Sequence, residues 1–403
     1  MHFKKFSIVC LVLIFALSSI SLSFAEASAE AAEAKEENAE EPAAAEKKAA
    51  ETIASLEFFG PAIDLTLDQA LKAALTSGAA IKAAEIQKQS DAANAKANAE
   101  SLSDMNKTNK DPNSDNTYSR SELDKTRKAQ EYYTSIADRN YAAAKNTITY
   151  NINNAYYSLL NAEEGVRIAR ENAALQKDLL SLVNQKLSMG VASKQDVLES
   201  EISLNSAEST LSSAEVFLAE KKISFNIELG YDEMQDVNPT SKLEMVKMPD
   251  LTVEEAITDA IANRNELYTC AFDIYSAEKE LNNYVAYPRS SAKYLTAYKN
   301  YNSAQNSYNA KEASLKQEVR VNYANMLSAG TTAENSKLSV DKAKESHKIY
   351  LEKYKLGMAT LDEVQKAQIS LYEAEKSYAE SVLAFNLAAI TYEMSATVGM
   401  GSY

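Results

Sequence analysis

The chain writes one phrase twice. "KLSMGVASKQDV" (186–197) returns as "KYKLGMATLDEV" (353–364), an offset of 167 that holds without a gap from 152–229 to 319–396. A second pair, "LTLDQALKAALTSG" (65–78) and "LTVEEAITDAIANR" (251–264), is offset by 186. Two ordered pairs mean an internal duplication, which restricts the fold more than length does. The offsets differ by nineteen residues, so the first copy carries an insertion, and the polar, turn-rich stretch 101–126 is the natural place for it.

Each copy also carries an apolar period of seven. Val197, Leu204, Leu211, Leu218 and Phe225 follow the first phrase's glycine at that spacing, and Val364, Leu371, Tyr378, Phe385 and Tyr392 follow the second. Ile152, Leu159, Val166 and Ala173 begin a matching row upstream. Strict sevens keep one seam of a helix against a neighbour over many turns. Between the rods, Gly190 and Gly357 suit the left-handed residue that ends a helix. Ser193 and Thr360 then serve as N-caps, and Asp196 and Glu363, three residues on, complete capping boxes. The sequence therefore predicts an all-α, elongated fold of antiparallel coiled-coil helical hairpins in two structural repeats, 61–250 and 251–403. The two glycine turns build one pole. Nine Gly, six Pro and no Trp in 403 residues agree with long helices and few sharp turns.

Residues 1–25 read as a signal peptide. Lys4 and Lys5 precede the short apolar run Ile8 to Ile20, and Ser23 and Ala25 supply small residues for cleavage. The chain is thus expected to be exported. Residues 26–60 read as an Ala/Glu-rich disordered tether with little to bury. Removing residues 1–25 takes away two lysines and moves the formal charge from −15 to −17. A chain this acidic is not expected to bind nucleic acid through phosphate contacts. Cys270 is then the one remaining thiol, expected to be a small buried residue, and no internal disulfide can form.

A Gly turn followed by an N-cap, an acidic residue and Val, present twice and each time preceded by a short "LT-[LV]-[DE]-[QE]-A" helix, resembles the TolC-like outer-membrane efflux channels. The resemblance covers about 65–398. It implies a homotrimer whose helices pool into a tube at the outer membrane and periplasm. It also implies a periplasmic adaptor (membrane fusion protein) and an inner-membrane pump as partners, and passive transport of small molecules or proteins. The adaptor-docking turns would be Met189–Gly190–Val191 and Leu356–Gly357–Met358. In the family a tyrosine three before the second glycine and an arginine two after it hold an aspartate of the first turn. Here Tyr354 and Asp196 match, while Ala359 stands in the arginine's place. Ser193, Asp196, Tyr354, Thr360 and Glu363 are accordingly the helix caps and gate candidates, with Lys366 breaking the acidic ring of the tip.

The family also inserts two β-strands per repeat, pooled into an outer-membrane barrel. A spanning strand needs about 9–11 alternating residues. The first slot, 101–126, is Asn/Asp/Lys-rich and contains Pro112. In the second, 282–308, Tyr287, Tyr294, Tyr301 and Tyr308 lie seven apart, the helical rather than the strand period. The barrel strands are therefore expected to be absent or vestigial. The tyrosine row is either a core seam or an aromatic belt at a membrane surface. His347 falls on the heptad row and is expected to be structural; neither a metal nor a cofactor is implied. Carboxylates on helix faces without a concave site exclude catalysis. Beside the conduit stands one alternative, a barrel-less, non-conducting envelope scaffold that keeps its hairpins for partner binding.

Overall fold

The computed structural model describes residues 58–114 and 117–401. The expected signal peptide, and the tether up to residue 57, lie outside the described residues. The first element is a strand, β1 (Phe59–Leu65), followed by α1 (Leu67–Ser77), α2 (Ala79–Thr108), α3 (Arg120–Ser188), α4 (Lys194–Leu229) and β2 (Gln235–Pro239). The second repeat is α5 (Val253–Asn263), α6 (Asn265–Asn282), α7 (Ala292–Lys355) and α8 (Leu361–Ser395). At 69 residues α3 is about 100 Å long, and α7, at 64, falls just short of that.

The duplication is visible element by element. Thr66 and Thr252 of the repeated "LT" phrase cap α1 and α5, each with a capping box completed three residues on by Gln69 or Glu255. Ala70 and Ala74 of α1, and Ala256 and Ala260 at the equivalent positions of α5, are fully buried where these short helices cross the rods. The nineteen extra residues are spread over three places. Twelve lengthen α2 (30 residues against 18 in α6) and five lengthen α3 (69 against 64). The other two fall in the connection between them.

Neither barrel slot holds a strand among the described residues. The first slot holds the end of α2, a connection and the start of α3; the second holds a connection and the first turns of α7. Tyr294, Tyr301 and Tyr308 lie half-buried along α7, whereas Tyr287 is exposed in the connection before it. His347 is buried in the seam with Val340 and Tyr354, and burial lowers its pKa. Cys270 departs from expectation: it is half-exposed on α6 rather than buried. Burial and the nearby Asp273 carboxylate push its thiol pKa up.

One feature of the fold is absent from the sequence reading. β1 and β2 pair as a two-stranded parallel sheet, with Ile63 opposite Val237 and Leu65 opposite Pro239. β1 begins at Phe59, inside the segment read as tether. Buried side chains hold the connecting segments by imitating a peptide. Asn226 donates to the carbonyls of Glu233 (3.0 Å) and Gln235 (2.8 Å) beside β2. Asn386 of α8 accepts from Val246 N–H (2.9 Å) and donates to Glu244 O (2.9 Å). Tyr156 and Tyr392, both fully buried, donate to Leu65 O (3.2 Å) and Leu251 O (2.9 Å). Where these segments are buried, as at Leu65 and Val237, the sheet and these groups satisfy backbone that would otherwise be unpaired.

Candidate functional site

The two glycine turns are built alike. Gly190 and Gly357 both take φ 75°. Val191 N–H donates to Lys186 O (3.0 Å) and Gly190 N–H to Leu187 O (2.9 Å). In the second copy Met358 N–H donates to Lys353 O (2.8 Å) and Gly357 N–H to Tyr354 O (3.1 Å). These are Schellman closures, which satisfy the last carbonyls of α3 and α7. A Cβ on either glycine would meet open space, so the requirement is for the backbone conformation alone.

Three residues later the next helix is capped. Ser193 N–H donates to Asp196 Oδ2 (2.7 Å), and Asp196 N–H donates back to Ser193 Oγ (3.1 Å). Thr360 N–H donates to Glu363 Oε2 (2.8 Å), and Glu363 N–H to Thr360 Oγ1 (3.3 Å). The bonds from Thr360, backbone first, hold the Glu363 carboxyl below the usual carboxylate range. Lys366 pairs with Asp362 (2.7 Å).

The turns stand side by side. Leu179 and Val183 of α3, Tyr354 of α7, and Leu361 and Val364 of α8 form one buried cluster, with Ala192, Val197 and Ala359 packed against it. Outside the cluster Met189, Val191, Leu356 and Met358 are 66–71% exposed, an apolar quartet around two glycines. Exposed apolar groups gathered in this way mark a surface that something covers.

Of the gate candidates, Tyr354 and Asp196 are brought together. Burial, and then the Asp196 charge, push the Tyr354 phenol pKa up. The cation at this ring is Lys186, whose Nζ lies 4.6 Å from the ring centroid. Sequence reasoning did not single out Lys186. Its signal was its place in the last turn of α3, where a cation is favoured by the helix dipole. Among the described residues no cluster of three or more His, Cys, Asp or Glu is placed to hold a metal.

Residues 287–390, most of the second hairpin, match the family described as Outer membrane efflux protein. The fold is that of the outer-membrane efflux channels. The outer membrane protein VceC of Vibrio cholerae superposes with a TM-score of 0.63 at 14% identity, over 83% of this chain and 96% of its own. The outer membrane channel CmeC of Campylobacter jejuni gives 0.64 at 12%, over 83% and 86%. The outer membrane channel MtrE of Neisseria gonorrhoeae gives 0.58 at 13%, over 84% and 90%. The likeness is to channels and not to an enzyme. A sequence comparison with curated proteins gives no match. Among the described residues, the two slots where the resemblance implies barrel strands hold helix and connection.

Proposed function

We propose that this chain is the protomer of a passive efflux or secretion conduit in the cell envelope, assembled as a homotrimer and working with an adaptor and an energised inner-membrane pump. The reading is carried by the family match, which falls on the second hairpin of a fold shared with outer-membrane channels. Packing supports assembly. Leu198, Ile202, Phe217 and Ile227 are exposed along α4, and Val321, Leu338 and Ile349 along α7. Two different uncovered flanks on one chain suit a head-to-tail ring, in which α4 of one copy meets α7 of the next. The Met189–Gly190–Val191 and Leu356–Gly357–Met358 turns are the docking site, with the apolar quartet as the surface that the adaptor covers.

Docking has a direct test. Gly357→Val strains the left-handed turn and enlarges the side chain facing the partner. We expect it to abolish adaptor pull-down while circular dichroism keeps its helical signal; unchanged pull-down would refute the assignment.

One observation favours a second reading: both barrel slots are helix and connection among the described residues. On this reading the protein is an envelope scaffold that docks partners and conducts nothing. Conductance in planar bilayers separates the two, since a scaffold gives none.

A further inference from the structure

We propose that the pole formed by the α6–α7 connection and the first turns of α7 is a peripheral binding face for a membrane surface rich in anionic lipid. Residues 281–311 contain no Asp or Glu, in a chain with 57 acidic residues. The same stretch holds Arg289, Lys293, Lys299 and Lys311, all exposed, none of them in an ion pair among the described residues. It also holds six of the 23 tyrosines. Such a segregation of charge is what a net-acidic protein needs in order to approach an anionic surface by one end.

The tyrosines divide into two sets. Tyr294, Tyr301 and Tyr308 follow the heptad row and are half-buried, as a structural seam would be. Val285, Leu295 and Tyr298, off that row, and Tyr287, at its start in the connection, are 43–64% exposed. Tyr294 stacks on Tyr298 (6.1 Å between ring centroids), and Lys293 Nζ lies 5.5 Å from the Tyr287 ring centroid, so rings and cations share one surface. Tyrosine, with an apolar body and a polar tip, suits the headgroup level of a bilayer, and long basic side chains can keep their charge among the phosphates while their stems lie in apolar surroundings.

The position of this face is fixed by α6. Phe272 stacks on Tyr132 of α3 (4.0 Å), and Tyr275 Oη donates to Asp124 O (3.4 Å), so α6 runs antiparallel to α3 toward its start. The connection that follows α6 therefore stands at the end of α3 remote from the glycine turns. The companion connection, between α2 and α3, carries no such excess of basic residues, with Lys110 and Arg120 against Asp111, Asp115 and Glu122. No helix among the described residues is long and apolar enough to cross a membrane, so the contact is at the surface. This face stands independently of the conduit reading: it needs lipid alone, neither adaptor nor assembly.

The chain has no tryptophan, so a single one reports its own surroundings. Tyr287→Trp in the full chain is expected to shift its emission to the blue and to co-sediment with vesicles of equal parts phosphatidylglycerol and phosphatidylethanolamine. Vesicles of phosphatidylcholine alone should do neither, and Leu338→Trp, in the half of α7 nearer the glycine turn, should report no shift. Combining Arg289→Glu, Lys293→Glu and Lys299→Glu should weaken binding by at least about a hundredfold. Combining Val285→Ser, Leu295→Ser and Tyr298→Ser should weaken it by about tenfold. Circular dichroism should be unchanged in both. The proposal falls if the wild-type chain ignores anionic vesicles, or if the charge-reversed chain binds them as well as wild type. Self-association without vesicles that these variants abolish would assign the face to a second copy and would also overturn it.

Discussion

The two long hairpins have almost the same length, the same turn and the same heptad row, yet they are buried differently. At the base they agree: Phe225 of α4 and its equivalent Tyr392 of α8 are both fully buried. Toward the glycine turns they part. Val364, Leu371 and Phe385 of α8 are buried, while Val197, Leu204 and Leu218, at the matching positions of α4, are half-exposed. α8 has α7 on one side and α3 on the other, where Gln368 Nε2 donates to Asn172 O (3.2 Å) and Oδ1 (3.1 Å). α4 packs along α3, touches α8 at Ser203, whose Oγ accepts from Gln365 Nε2 (3.0 Å), and leaves Leu198, Ile202, Phe217 and Ile227 exposed on an open flank. A duplicated sequence thus gives one helix that is covered on two sides within the chain and one that keeps an exposed apolar flank. The seam is written in both copies, but only the number of flanking helices decides whether it becomes core.

The comparison is open to attack, first where the expected effect is largest. Phe385→Ala should cost about 3–5 kcal/mol in chemical denaturation of the monomer, and Leu218→Ala, its counterpart, about 1 kcal/mol. Equal costs would mean that α4 is already covered. Next, Ile202→Asp with Ile227→Asp places charge on the open flank. Sedimentation should show assembly lost, while the stability of the monomer changes by roughly 0.5 kcal/mol or less. The smallest effect sharpens the comparison by predicting no difference. Ser193→Ala and Thr360→Ala should each cost about 1 kcal/mol, because the two caps have the same geometry. For Glu363 the sign is determined: its pKa is lowered in the folded state, chiefly by the bonds from Thr360. Its contribution is present above the ordinary carboxylate range and is lost as pH falls through the lowered value. Thr360→Ala should therefore flatten the acid limb of the stability curve relative to wild type.

What the sequence made legible follows from local physics. The glycine turns, their caps and the heptad rows are decided within a few residues, and the structure has them at the expected positions. The β1–β2 pair was not legible, because Gly60, Pro61 and Pro239 are poor strand formers and the pairing joins residues far apart in the chain. Nor were the peptide-mimicking asparagines: nothing local marks Asn226 and Asn386, whose partners are backbone segments folded against them. At the candidate site the family resemblance implied Tyr354 beside Asp196, but Lys186 was missed. Which cation reaches a ring depends on how α3 and α7 are rotated about their axes, and no local pattern records that.

The cluster beneath the turns has one further consequence. Leu179 and Val183 come from the first rod, Tyr354, Leu361 and Val364 from the second, and together they rivet both extremities of the chain into a single block. Neither extremity can swing out without tearing that block apart. In the proposed assembly, displacement at this pole would therefore fall between copies, as a tilt of whole paired units, with as many independent moving parts as chains rather than hairpins.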